Sequence, residues 1–336
     1  MGELRATLIT GGAGYIGSHA VLAFQDARLP VVVLDDLSTG RRDRVPADIP
    51  FIEGDAGDAP LVGEVIRSQG IATVVHFAGS IVVPESVTDP LKYYRNNTCV
   101  SRTLIEACVA GGVRRFVFSS TAAVYGMPET VPIPEDAPTL PINPYGASKL
   151  MIEWILRDTA AAADFRFVAL RYFNVAGADP QGRSGQATRT ASHVIEVASQ
   201  AALGLREGFE IFGDDYDTPD GTCVRDYIHV SDLAEAHLLA VRYLERGDRS
   251  ATLNLGNERG YSVREVVETM QRVSGQDFPV KTGPRRPGDP ARLVAAVARA
   301  RDLLGWQPQR VELETQISDA WRWHQKQLGG RSREAR

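Results

Sequence analysis

Tyr145 and Lys149 stand four residues apart where a helical pattern begins, in Asn143-Pro144-Tyr145-Gly146-Ala147-Ser148-Lys149. Asn143 is suited to cap that helix and Pro144 to fill its first turn, and the i, i+4 spacing puts phenol and ammonium on one face. A cation beside a phenol favours the phenolate and brings an ordinary pKa of about 10 toward working pH. Such a pair could take the proton of an alcohol while a hydride leaves the same carbon. The spacing alone is common, and its plainer reading is a core aromatic beside a solvated cation. Two more segments imply a lined site. Phe118-Ser-Ser-Thr121-Ala-Ala-Val-Tyr-Gly126 sits where a strand ends and sets the Thr121 hydroxyl near the tyrosine, and a later strand ends in Arg171-Tyr-Phe-Asn174.

A hydride acceptor is suggested by Thr10-Gly-Gly-Ala-Gly-Tyr-Ile-Gly17, which follows the first apolar run and precedes a helical pattern. Gly11, Gly14 and Gly17 would permit a tight turn, close approach of backbone N–H groups to a pyrophosphate and close helix packing, while the helix N-terminus adds partial positive charge. A glycine-rich turn without a ligand is the alternative. The second run, Val31-Val-Val-Leu34, ends in Asp35, placed to bind both hydroxyls of an adenosine ribose and to repel a 2′-phosphate, so NAD is expected rather than NADP. Asp36 either joins it or is a solvated turn acid. Gly54-Asp55 either reaches the adenine edge or is a turn or helix cap.

The elements that must position these groups alternate. Segments 6–10, 31–35, 72–77, 114–120 and 166–173 are expected to be strands, with helices over 15–27, 58–69, 91–110 and 145–163. This predicts an α/β fold, a Rossmann-type doubly wound parallel sheet with ligands beyond the carboxyl ends of its strands. After residue 174 the pattern breaks into Gly-, Asp- and Pro-rich loops, which predicts a smaller α/β substrate-binding lobe. The expected division is 1–173 with 223–257 for the cofactor domain and 174–222 with 258–328 for the lobe. Late helices are expected over 299–304 and 312–326, and 329–336 as a disordered tail.

Among 336 residues, 24% are charged and the formal net charge is −5, with no long basic stripe, which argues against a nucleic-acid partner. Arg41-Arg42 and Arg285-Arg286 are local anion contacts or solvated loops. Cys99, Cys108 and Cys223 form no C-x-x-C pair, so neither a disulfide framework nor a zinc site is expected, and a reducing cytoplasm fits. The six histidines have no metal-binding spacing, and no metal is expected. No signal peptide and no membrane span is legible.

Taken together, TGGAGYIG (10–17), HFAG (76–79), SSTAAVYG (119–126), YGASK (145–149), RYFN (171–174) and RDYIHV (225–230) resemble the extended short-chain dehydrogenase/reductase family. The likeness runs from about residue 6 to 325, and GDDY (213–216), NLG (254–256) and RRPGD (285–289) narrow it to members that invert C4 of a UDP-hexose. It implies Tyr145 as base, Lys149 as the residue that holds the nicotinamide ribose and lowers the tyrosine pKa, and Thr121 in place of the usual catalytic serine. It implies NAD contacts from the glycine turn with Tyr15 and Ile16, from Asp35, Asp55 and Ala56, from Phe77, Ala78 and Gly79, and from Asn96 and Phe173. UDP-sugar contacts are implied for Asn174, His193, Val194, Phe212, Arg225, Arg286, Asp289 and Leu293.

Arg225 and Arg286 suit a diphosphate clamp, since guanidinium groups pair with phosphate oxygens bidentately; as isolated arginines they would be surface residues. Asp289 suits the uridine ribose, or is a loop acid paired with Arg286. The implied reaction is transient oxidation of C4 by bound NAD, rotation of a 4-keto sugar and return of the hydride to its other face. A homodimer through 91–110 and 145–163 is likewise implied.

Three positions depart from the family pattern: Ile81 replaces a common Lys, His193 a common Asn, and Leu293 stands where relatives carry Tyr or a smaller residue. His193 could still hydrogen bond, or is a packed loop histidine. Leu293 leaves more room than Tyr and so predicts some acceptance of 2-acetamido sugars. A dehydratase of the same fold would need an acid and base near C5 and C6, where Ala122 and Ala123 follow Thr121. UDP-pentose or UDP-uronate epimerisation stays open. A non-enzymatic NAD-binding sensor would not be expected to keep Tyr145, Lys149 and Thr121.

Overall fold

The computed structural model describes residues 5–186, 193–286 and 288–334. The chain begins β1 (Ala6–Thr10), α1 (Tyr15–Asp26), β2 (Val31–Asp35), β3 (Phe51–Glu53), α2 (Ala59–Ser68) and β4 (Ile71–His76). It continues through α3 (Val83–Thr88), α4 (Pro90–Tyr93), a π-helical turn (Tyr94–Cys99), α5 (Val100–Ala110), β5 (Arg115–Thr121), α6 (Pro144–Ala162) and β6 (Arg166–Tyr172). The later elements are β7 (Asn174–Ala176), α7 (Val194–Ala202), β8 (Phe209–Phe212), β9 (Val224–His229), α8 (Val230–Glu245) and β10 (Ala251–Leu255). They end with β11 (Gly260–Ser262), α9 (Val263–Ser274), β12 (Val280–Gly283), β13 (Arg292–Leu293), α10 (Ala298–Leu304) and α11 (Leu313–Glu334).

Seven parallel strands form the main sheet in the order β10-β6-β5-β4-β1-β2-β3. The chain reverses direction across the sheet between β1 and β4, which opens a crevice at their carboxyl ends. Val31–Asp35 and Ile71–His76 are buried throughout, as continuous apolar runs covered on both faces should be. Alternation sends Ile9, Val33 and Val75 into one core with Val21 and Phe24 of α1 and Leu233 and Val241 of α8. Leu8, Val32 and Val74 face the other core, with Val62 of α2, Leu104 of α5 and Ile152 of α6.

The lobe is built on short strands, with β9 pairing β7, β11 and β13, and β8 pairing β12. A third core joins α7, α9 and α11 through Ile195, Val266, Met270 and Ile317. Four expectations change here. Segment 223–257 divides: β9 belongs to the lobe's sheet, whereas α8 and β10 join the main body. Helix α10, expected in the lobe, packs its Ala300 and Leu304 into the main core. Helix α11 continues to Glu334, past the Gly329 where a disordered tail is expected. The expected helix 91–110 contains a wide π turn, in which Asn97 bonds away from the helix to Ser80 and Ser148.

Candidate active site

Gly11 adopts φ +71°, and a Cβ there would lie 2.6 Å from the Ala78 nitrogen. A Cβ on Gly17 would collide with the Gly11 carbonyl oxygen, so this turn and the first turn of α1 pack at a distance that only hydrogen allows. Gly14 caps α1 with no side-chain hydrogen bond, and the first turn carries no acid. Its leading N–H groups are therefore open to an anion, and the residues present fit a dinucleotide pyrophosphate. Tyr15 binds the Gly177 carbonyl oxygen through its hydroxyl at 2.7 Å and so joins this turn to the loop leading into the lobe. Ile16 is half-buried beside it.

Asp35 is buried at the end of β2 and accepts hydrogen bonds from the backbone N–H groups of Ala13 and Leu37, each at 2.9 Å. Burial raises its pKa and these bonds oppose the shift. One carboxylate thus braces the glycine turn from the position where a ribose would bind. Asp36 is a different kind of residue: exposed, it accepts from the Ser38 N–H at 2.9 Å and hydroxyl at 2.6 Å, which is the turn alternative. Exposed Asp55 likewise accepts from the Gly57 N–H at 2.7 Å, beside buried Ala56. Phe77 is half-buried with its ring centroid 4.6 Å from that of His237, and Ala78 abuts Gly11. Asn96 donates to the Ser80 hydroxyl at 3.2 Å, just past Gly79.

Asn143 accepts from the Gly146 N–H at 2.8 Å and starts α6 as its sequence suggests, with Pro144 in the first turn. A Cβ on Gly146 would meet the Ala123 carbonyl oxygen at 2.5 Å, so glycine lets α6 press against the turn that follows Thr121. Tyr145, Lys149 and Thr121 are thereby gathered at the carboxyl end of β5, all nearly buried. Burial raises the Tyr145 pKa, and the hydrogen bond with the Thr121 hydroxyl works the other way. The Lys149 ammonium donates to the Ser119 carbonyl oxygen at 3.0 Å and lies 4.8 Å from the Phe118 ring centroid. Burial brings its pKa down to about 8, against the pull of Glu153. The expected lowering of the tyrosine pKa by this lysine is not what governs Tyr145 in this geometry; burial does.

Several supporting groups carry weaker sequence signals. Glu153, one turn beyond Lys149, forms a buried ion pair with Arg171 at 2.6 Å, and Arg171 also donates to the Tyr125 hydroxyl at 2.9 Å. Tyr93 meets the Tyr145 ring edge-on at 6.4 Å between centroids, with its hydroxyl 2.8 Å from Glu85. Asn97 and Ser148 join α6 to the loop after β4. The adjacent asparagines 96 and 97 within a helical pattern were the available signal.

On the lobe side, Phe173 is buried just beyond β6, and Asn174 opens β7 opposite Tyr227 of β9. Arg225 is buried; it donates to the carbonyl oxygens of Val224 and Pro290 at 2.9 and 2.8 Å and pairs with Asp289 at 3.0 Å. Asp289 is therefore the partner of Arg225, not of Arg286. Arg286 is exposed and stacks on Phe212 at 3.8 Å, while Leu293 on β13 lies in register with Arg225. The Asp289 N–H donates to the Arg286 carbonyl oxygen at 3.2 Å, tying these five residues into one cluster. His193 lies elsewhere: it precedes Val194 at the start of α7 and lines a small interior cavity with Tyr15, Glu196 and Trp323. Burial lowers its pKa, which fits the packed alternative.

A parallel sheet with a glycine cradle at its first turn, a ribose-placed carboxylate and a buried Tyr-Lys-Thr group defines a dinucleotide-binding enzyme of the doubly wound class. The chain belongs to the NAD dependent epimerase/dehydratase family, whose model matches residues 7–256. It is 60% identical over 316 residues to a UDP-glucose 4-epimerase of Azospirillum brasilense, covering 94% of this chain and 91% of that one. A solved UDP-glucose 4-epimerase from Brucella ovis in complex with NAD superposes with a TM-score of 0.92 at 44% identity, over 95% of this chain and 98% of the other. The UDP-Glc/GlcNAc 4-epimerase from Campylobacter jejuni gives 0.85 at 45% identity, over 96% and 99%.

Proposed function

We propose that the protein is a UDP-glucose 4-epimerase that interconverts UDP-glucose and UDP-galactose on retained NAD. The observation that carries this is the buried Tyr145, with Thr121 at its hydroxyl, on the same sheet edge as the glycine cradle. When bound, NAD supplies the hydride acceptor and a positive charge beside the phenol. Tyr145 takes the C4 hydroxyl proton as the C4–H bond breaks, and gives it back after the 4-keto sugar has turned over. Thr121 orients the hydroxyl between sugar and phenol, while Lys149 holds the nicotinamide ribose. Arg225 and Arg286 take the diphosphate and Asp289 the uridine ribose, which requires Arg225 to exchange part of its pairing with Asp289 for phosphate. Firm grip on the nucleotide and few charges toward the hexose leave the sugar free to rotate.

Purified protein incubated with UDP-galactose and no added nucleotide is expected to form UDP-glucose, and Tyr145→Phe to abolish the conversion. No conversion even with added NAD would refute the assignment. Ala122 and Ala123 after Thr121 argue against elimination at C5 and C6. Leu293 beside Arg225 supports turnover of UDP-N-acetylglucosamine as well. We further propose a cytoplasmic homodimer through α5 and α6 and the segment before them. Three free cysteines agree with that compartment, and exposed Leu91 and Trp154 agree with that surface. Among the described residues no helix is long and apolar enough to cross a membrane.

A further inference from the structure

At the amino ends of β6 and β10, the opposite end of the sheet from Tyr145, the surface holds a groove of about 460 Å³. Strand β10 is the edge of the main sheet, with α6 packed against β6 and α10 against β10. Phe167, Ala160 and Ala161 give the groove an apolar side. Arg157 lines it from α6, Arg249 from the turn before β10 and Arg299 from α10, and among the described residues no carboxylate lines it. Arg157 pairs with exposed Asp158 at 3.1 Å and neighbouring Arg246 with Asp248 at 3.1 Å, but no carboxylate of the described residues pairs with Arg249 or Arg299. Burial raises the Tyr243 pKa and Asp248 adds to the rise, while Arg299, Arg246 and Arg249 all pull it down, so three guanidinium groups surround one phenol. Like charges gathered this way repel one another, in a chain whose net charge is −5, and an anion among them relieves the repulsion. Two hydroxyls add donors. Ser250 accepts from the Phe167 N–H at 3.1 Å, which leaves its own proton to donate, and Thr252 lines the same groove half-buried.

We propose that this groove is a second ligand site, one that binds a phosphate monoester of mononucleotide size with its phosphate on Arg249 and Arg299 and its flat body against Phe167, Ala160 and Ala161. Guanidinium forks match phosphate oxygens bidentately, and a phosphate monoester carries close to two negative charges at neutral pH. The volume lies within the range of small-molecule sites, about 300–1,000 Å³. Neither arginine belongs to the machinery proposed for epimerisation, so the site and that reaction stand apart. AMP serves as the probe, titrated calorimetrically into the NAD-loaded protein with UDP present to fill the nucleotide-sugar site. One AMP per chain is expected, with Kd below about 1 mM. Adenosine and inorganic phosphate each lack half of the recognised chemistry and are expected to bind at least about tenfold more weakly. Arg249→Ser together with Arg299→Ser is expected to weaken AMP at least about tenfold, while NAD content and turnover of UDP-galactose stay at parental values. If that double variant does not fold, Ala161→Glu sets a carboxylate in the groove from an exposed helix position and is expected to weaken AMP by a similar factor. No saturable binding of AMP up to about 10 mM overturns the proposal. So does adenosine or inorganic phosphate bound as tightly as AMP, or AMP binding unchanged in either folded variant.

Discussion

Replacing Lys149 by methionine is expected to stabilise the protein at neutral pH while removing its activity. Lys149 is 3% exposed, and its ammonium is held by one carbonyl oxygen and the face of Phe118. Burial takes its pKa from an ordinary 10.5 to about 8, so between those values the folded protein binds fewer protons than the unfolded chain. Stability therefore rises with pH across that window, and below it the folded state carries a cost of about 3 kcal/mol for keeping the charge inside. Lys149→Met removes that cost and also the bond to Ser119, a loss of about 1–2 kcal/mol. The variant is expected to lead by about 1–2 kcal/mol at pH 7 and to trail the parent by about 1 kcal/mol near pH 10.5, where the parent lysine is neutral in the folded state and about half neutral in the unfolded chain. Urea unfolding of the NAD-free proteins at both pH values measures the difference, and ionisations common to the two proteins cancel. A variant less stable than the parent at pH 7, or a difference that does not move with pH, would refute the reasoning. The lysine would then cost nothing to bury, and its placement would need another account.

Gly17→Ala is expected to abolish NAD retention, because the new methyl collides with the Gly11 carbonyl; absorbance of the purified protein near 340 nm after reduction of any bound cofactor reports it. Arg171→Met leaves Glu153 buried and unpaired and is expected to cost about 3–5 kcal/mol, whereas Glu153→Met with Arg171→Met together should regain at least half of that in urea midpoints. A double variant as unstable as the single one would show that Arg171 acts through Tyr125 rather than through the charge pair.

The main sheet was legible because its signals are local. Val31–Leu34 is apolar on both faces, Asn143 and Pro144 mark where α6 begins, and the spacing of Gly11, Gly14 and Gly17 reports a packing distance within one strand-turn-helix unit. What escaped depends on partners far along the chain. Val224–His229 is a buried run that would look the same in either sheet, and its allegiance is decided by β7, β11 and β13. Helical periodicity across 91–110 conceals the π turn, where the Asn97 side chain accepts from and donates to the backbone of Ser80, 17 positions earlier. Arg225 could be read as a phosphate ligand, but not as the partner of Asp289, 64 residues later.

The same contrast bears on how the enzyme divides its labour. The cofactor half is specified by short-range geometry, so a turn whose shape fits a pyrophosphate can be written in eight residues from Thr10 to Gly17. The lobe is assembled from two- to six-residue strands drawn from positions 174 to 293, and Phe212, Arg225, Arg286, Asp289 and Leu293 come together only through pairings between segments far apart in sequence. On the proposed reading, a substitution in the lobe is expected to alter which sugar nucleotide fits while the turn, Asp35 and α6 stay in place. Leu293 is where that freedom should be most visible. It sits on the two-residue strand β13, half-buried, in register with Arg225 and packed against the main core. On the proposed reading, volume added there is expected to change the relative turnover of UDP-N-acetylglucosamine and UDP-galactose before it changes NAD retention; an unchanged ratio in a folded Leu293→Tyr variant would refute that placement of the sugar.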